Sequence, residues 1–233
     1  MININEVFLT RMLQEIGYAF QHGVNIKTPA TYSFPPKGII NNNANLPKSI
    51  LDLYNQTSGV EIIWELQQTE ENTKQFKEDT FLNEKYLNNN YTWGVVHEYL
   101  SGFINITKAE NLFNPNFCRD QAFYHTLSNK EENQDDFFPF DICWSLTACL
   151  KREGDEIVDN IWLVHTDAAA IYNMEITIEE YLNLAYQAKG FHYWQLSYLF
   201  KEKTEYHELI KRFLPKILPH VTLDLKAFEI ENV

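Results

Sequence analysis

Apolar residues recur along this chain first at helical spacing, then in alternation, then at helical spacing again. Leu9, Met12, Leu13, Ile16 and Phe20 repeat every three or four positions, which predicts a helix over 5–22 with Asn5 as cap and Gly23 as stop. Residues 24–45, rich in proline, glycine and asparagine, read as an extended connection. The stretch LPKSILDLYNQTSGVEIIWEL (46–66) then joins both periods. Pro47 suits a first helical turn, and Ile50, Leu51 and Tyr54 share a face. Gly59 offers a left-handed stop, and Val60, Ile62, Trp64 and Leu66 alternate as the inward face of a strand.

A polar, glutamate- and asparagine-rich excursion follows at 67–90, with a short helix expected around 76–87. TWGVVHEY (92–99) and GFINITK (102–108) predict two strands turned at Ser101-Gly102, and 120–127 predicts a short helix before a charged loop. FFPFDICWSLTACLK (137–151) reads as one long strand, with Trp144, Leu146, Ala148 and Leu150 on one face. REGDE, carrying Gly154, turns it back into EIVDNIWLVHT (156–166) as an antiparallel hairpin. Thr177 and Glu180 form a capping box for a helix with a stripe of Ile178, Tyr181, Leu182 and Ala185 that stops at Gly190. A last helix starts at Thr204, with Tyr206, Leu209, Ile210, Phe213 and Leu214 at helical spacing before Pro215, and the tail at 221–233 suits an edge strand. Helices, then neighbouring strands, then helices argue for an α+β fold in a single domain over 1–233.

Composition narrows the setting. In 233 residues, 45 % hydrophobic and 15 % aromatic content describes a folded chain. No apolar run has the length of a membrane span, the start has no signal-peptide pattern, and three cysteines do not make a disulfide framework. The expectation is a soluble cytoplasmic protein. A formal charge of -13 disfavours direct contact with nucleic acid or anionic lipid and suits a basic partner.

Candidate chemistry is sparse. His165 and Asp167, two apart, would share a strand face, and His97, Glu98 and His192 are further donors. Zinc needs three or four convergent ligands, and HExxH, CxxC and calcium-loop patterns are absent from the sequence. A metal-assisted hydrolase using His165 and Asp167 is therefore the alternative, and no metal or cofactor is expected. Cys143 and Cys149, six apart on one predicted strand, read as buried hydrophobes; Cys118 beside Arg119 is the thiol with a cationic neighbour. The run KEENQDDFFPFD places Glu131, Glu132, Asp135 and Asp136 in one loop, an anionic patch that suits a binding partner better than general acid–base catalysis. GFHYWQLSYLF (190–200) concentrates aromatic residues of the types found in binding hot spots, with Trp194 read as core.

LPKSILDLYNQTSGVEIIWEL resembles the signature segment of the SMI1/KNR4 (SUKH) superfamily. GFINI, FPFDI with the CWSLTACL strand, and EYLNLAYQAKGFHYWQ are similar to later elements of that family, in the same order, over about 40–200. The N-terminal helix and a C-terminal helical extension lie outside that core. The resemblance implies a twisted, mainly antiparallel central sheet flanked by helices, and it supplies no catalytic residues. It also implies a non-catalytic protein-binding role: bacterial members are immunity proteins against polymorphic toxins, many of them nucleases, and fungal relatives are regulatory scaffold proteins. Glu131, Glu132, Asp135 and Asp136 are the expected partner-binding residues, and the expected partner is a toxin domain.

Overall fold

Six strands form an antiparallel sheet in plain sequence order: β1 (Val60–Glu65), β2 (Ser101–Ile106), β3 (Phe137–Cys143), β4 (Leu146–Glu153), β5 (Glu156–His165) and β6 (Ala170–Asn173). Helices precede, interrupt and follow it: α1 (Met12–Gln21), α2 (Lys48–Tyr54), α3 (Glu70–Lys77), α4 (Thr80–Lys85), α5 (Trp93–Glu98), α6 (Ala109–Leu112), α7 (Pro115–Arg119), α8 (Ala122–Ser128), α9 (Ile178–Gln187), α10 (Trp194–Leu199) and α11 (Glu205–Ile217). The fold is α+β. This computed structural model describes residues 11–21, 45–89, 91–128, 130, 132–200 and 204–229. The expected helix start at 5–10, its stop at Gly23, the connection at 24–44 and Glu131 lie outside the described residues.

The chain packs as two compact units. Where described, unit 1 holds residues 45–61 and 104–184, and unit 2 holds 11–21, 62–103 and 185–229. β1, β2 and α9 each run on from one unit into the other.

Unit 1 is built on two consecutive two-residue hairpins. β4 and β5 pair from Leu146↔His165 to Glu153↔Glu156, and Gly154 takes the left-handed conformation (φ 63) that so tight a turn favours. β3 and β4 pair from Phe137↔Lys151 to Cys143↔Leu146, so the chain also reverses at Trp144-Ser145. The long strand expected over 137–151 is therefore two strands. Trp144 supplies φ 55 without being glycine, which removes the usual sequence signal for a turn. α2 packs through Ile50, Leu53 and Tyr54, while Leu51 is exposed. A Cβ at Gly59 would stand 3.1 Å from the Ile106 oxygen and 3.1 Å from Lys108 Cα, so this glycine serves close approach of two backbone segments.

Asp141 of β3 is buried with 0 % exposure, beside an irregularity in the β3–β4 register. Its carboxylate accepts from the Asn105 amide at 2.8 Å and from the Tyr181 hydroxyl at 2.8 Å, tying β3 to β2 and α9. Tyr54, also buried, donates to the Thr107 carbonyl at 2.6 Å. Burial pushes the Asp141 carboxyl up to about 6, against the two hydrogen bonds that favour its charged form.

In unit 2 the indole of Trp64 lies against Gly102, where a Cβ would fall 2.0 Å from Trp64 Nε1. That N–H donates to the Lys189 carbonyl at 2.7 Å. Gly102 bridges to Phe191, the Phe103 amide donates to Gly190, and the His192 amide donates to Ser101. Ser101-Gly102 is thus strand, not turn. Lys189, 1 % exposed and left-handed at φ 53, places its ammonium 2.7 Å from Glu15 of α1, whose other oxygen accepts from Tyr186 at 2.7 Å. Asp79 caps α4 and accepts from Arg212 of α11 at 3.0 Å and from Lys216 at 3.3 Å. Burial works against the Asp79 anion, but these donors hold its carboxyl below the usual range.

Several local expectations change. TWGVVHEY forms α5, because the Thr92 hydroxyl caps Val95 and burial falls on Val96, His97 and Leu100 at helical spacing. The helix expected at 76–87 is split into α3 and α4 by the Asp79 cap. The helix expected at 120–127 is present as α8, with α6 and α7 before it, and Pro215 lies inside α11 instead of ending it. Of the tail, Lys226–Phe228 is a single 3-10 turn with Phe228 packed against Trp194, and the sheet's edges are β1 and β6. The Thr177–Glu180 capping box and the buried stripe of α9 are present as expected.

Gly102→Ala forces the Trp64 ring to move and is expected to lower unfolding stability by about 3 kcal/mol in a denaturant titration. Gly94→Ala, where the nearest atom to a Cβ is 3.8 Å away, is expected to be neutral or stabilising by up to about 1 kcal/mol. Asp141 supplies a pH test. Its folded pKa lies above the unfolded value, so its contribution is fully present in acid and is lost as pH rises from 3.8 to about 6. The stability of Asp141→Asn relative to the parent should therefore rise across that window by an amount on the order of 2–3 kcal/mol. A difference flat with pH would refute the assignment.

Candidate functional site

The acidic run lies at the end of unit 1 where β3 begins and β4 turns into β5. A 3-10 turn (Gln134–Asp136), capped by Asn133, leads into β3, and the β3–β4 register, with Phe137 opposite Lys151, carries residues 134–136 alongside 152–154. That register puts cations opposite the run. Lys151 reaches Glu132 at 3.1 Å and stands 4.3 Å from the Trp162 ring centre. Arg152 donates to Asp136 through Nε at 3.1 Å and Nη2 at 2.8 Å, and to the Asp135 carbonyl at 3.1 Å. Asp135 accepts from Tyr124 at 2.8 Å, with Arg119 at 3.9 Å. Glu132, Asp135 and Asp136 are brought together as expected, but each faces a positive charge, which local sequence could not show.

The uncompensated anions are on the neighbouring hairpin. Glu153 and Glu156 face each other directly across β4 and β5, with Asp155 in the turn between them, and all three are exposed. Among the described residues no ion pair holds them. Like charges directly opposite on paired strands oppose the hairpin. The REGDE turn was legible in the sequence; the signal missed was that a two-residue turn makes its flanking glutamates a pair.

The other candidates are dispersed. β5 ends at His165 and Asp167 lies in the following turn, so the pair does not share a strand face. Burial lowers His165 and Asp167 opposes that shift. Among the described residues no group of three His, Cys, Asp or Glu is placed to hold a metal. His97 is buried with Nε2 donating to the Leu66 carbonyl at 2.5 Å, and burial lowers His192 to about 3, which keeps it neutral. Cys143 and Cys149 are on different strands, and both thiols are pushed well up by burial. Cys118 is likewise buried, its thiol raised to about 11, while Arg119 beside it is exposed.

The aromatic span at 190–200 divides in two. Phe191 and Trp194 are core, as expected for Trp194, while Tyr193 is half-buried at φ 56 and joins other tyrosines of unit 2. Elsewhere, in unit 1, Trp144 is 52 % exposed at the β3–β4 turn. Among the described residues no helix is long and apolar enough to cross a membrane. Comparison of the chain with protein-family models, with curated proteins and with solved structures finds no match.

Replacing Glu153 by Lys converts a repulsive cross-strand pair into an attractive one. Glu153→Lys is expected to raise stability by about 0.5–1 kcal/mol at low ionic strength. The gain should shrink in 1 M salt, where the Debye length is about 3 Å. Thermal unfolding at the two salt concentrations checks both points.

Proposed function

We propose that this chain is a non-catalytic protein-binding module of the cytoplasm, an immunity protein that neutralises a basic toxin domain. The observation that carries the reading is the acidic hairpin of unit 1. Glu153, Asp155 and Glu156 are kept exposed and without a cation among the described residues, at a cost to the hairpin that apolar or mixed-charge residues would avoid. Next to them lie Glu132, Asp135 and Asp136, whose partners Lys151, Arg152 and Arg119 can exchange carboxylates when a more basic surface arrives. The overall charge of -13 adds long-range attraction for any cationic partner. Resemblance to the SMI1/KNR4 superfamily supplies the narrower reading, in which that partner is a polymorphic toxin, including nucleases whose own surfaces are shaped for anions.

The reading is tested by stopped-flow association with a purified basic toxin domain. The association rate constant should fall at least tenfold between 20 mM and 500 mM salt. The double variant Glu153→Lys/Glu156→Lys should slow association several-fold at low salt with little change at high salt. Association indifferent to ionic strength, or unchanged in the double variant, would rule out this surface.

A further inference from the structure

Five tyrosines from separate segments of unit 2 gather in one cluster, with the Glu205 carboxylate next to two of its segments. Tyr86 follows α4, Tyr91 lies just beyond the 3-10 turn Leu87–Asn89, Tyr99 ends α5, Tyr193 precedes α10 and Tyr206 is in the first turn of α11. Their rings form a chain. Tyr91 meets Tyr86 edge-on at 5.7 Å, Tyr86 stacks on Tyr99 at 5.3 Å, Tyr99 lies 6.2 Å from Tyr193, and Tyr193 meets Tyr206 at 5.3 Å. Glu205 directly precedes Tyr206, and its ion pair with Lys85 brings it to the residue before Tyr86. After burial, its charge is the largest influence raising both Tyr86 and Tyr206. Tyr193 holds its place at φ 56, a conformation unfavourable for a bulky side chain, where glycine or asparagine would sit more easily.

Aromatic faces and an adjoining carboxylate are the elements of an organic-cation site. A cation already occupies part of it: Lys85 Nζ is 2.8 Å from Glu205 Oε2, with side-chain exposures of 49 % and 30 %. Ion pairs this open to water are weakly held and exchange readily. Tyr91, 46 % exposed, leaves an aromatic surface accessible at the edge of the cluster. A guanidinium is planar, stacks on a phenol face and can engage a carboxylate through two donors, none of which an ammonium does equally well. We propose that this tyrosine cluster and Glu205 form a docking site for an arginine side chain of a protein partner, with Lys85 as its intramolecular placeholder. The site rests on the protein-binding reading only for the identity of the molecule that bears the arginine.

The test needs no toxin, so its failure is distinguishable from failure of charge-steered association. The full chain, with isotope-labelled tyrosine, is titrated with N-acetyl-arginine amide, N-acetyl-lysine amide or tetramethylammonium while ring resonances are followed by NMR. The arginine amide should give saturable shifts at Tyr91 and Tyr206, several-fold tighter than the lysine amide. Lys85→Ala should tighten binding several-fold by releasing Glu205. Glu205→Gln should weaken it at least fivefold, and Tyr91→Ala, at an exposed position, should weaken it with the fold intact. Absence of saturable shifts in both the parent and Lys85→Ala would overturn the site, as would shifts that survive Glu205→Gln and Tyr91→Ala. An equal response to the lysine amide or tetramethylammonium would overturn the arginine assignment.

Discussion

The indole of Trp64 fills the space that any side chain at position 102 would need, and much of unit 2 follows from that contact. Because residue 102 is glycine, Trp64 can lie on the backbone of β2 and still extend its N–H to the Lys189 carbonyl. That hydrogen bond fixes a left-handed residue after α9, a conformation lysine does not favour unaided. The residues that follow then run back along β2, with the amides of Phe103 and His192 closing the pairing. The next residue is Tyr193, again left-handed, so the placement of its ring depends on the same sequence of contacts. The buried Lys189–Glu15 ion pair anchors α1 to this turn. Removing either partner would leave a charge without its counter-ion, which makes such pairs strong constraints on geometry even where they add little net stability.

What the sequence disclosed depended on how local each determinant was. The Thr177–Glu180 box, the Gly154 turn and the β1 alternation are short-range patterns, and each appears where it was expected. Trp144 defeats the same kind of reasoning. A tryptophan at a two-residue turn looks like another strand residue, so β3 and β4 merge and Cys143 and Cys149 fall on one imagined face. At 92–98, adjacent valines suggest a strand, but the Thr92 cap and one-sided burial select a helix.

The candidate surfaces show the same division more sharply. The acidic run was visible in sequence, yet its electrostatics depend on Lys151 and Arg152, which only the β3–β4 register brings opposite. The Glu153–Glu156 pair was present in the sequence as two glutamates three apart, and becomes a repulsive contact only once the turn length is known. The tyrosine cluster had still less local signal. Tyr86, Tyr91 and Tyr99 are separated from Tyr193 and Tyr206 by everything from β2 to α9, and no short window of sequence contains the set.

Strongly shifted titratable groups often mark active sites, but the cause of the shift decides what it means. Asp141, His192, Cys143, Cys149 and Lys189 are each perturbed chiefly by burial, and each is enclosed by core side chains. Their shifts are the electrostatic cost of packing polar groups inside two small units, offset at Asp141 and Lys189 by specific hydrogen bonds or an ion pair. The groups that water and a partner can reach are of another kind: the carboxylates of the β4–β5 turn, the indole of Trp144 and the phenol edge at Tyr91. Anionic and aromatic surfaces attract cations and give rigid contact area at little entropic cost. That contrast between a desolvated interior and an accessible anionic, aromatic exterior is what the proposed recognition of basic, arginine-bearing surfaces draws on.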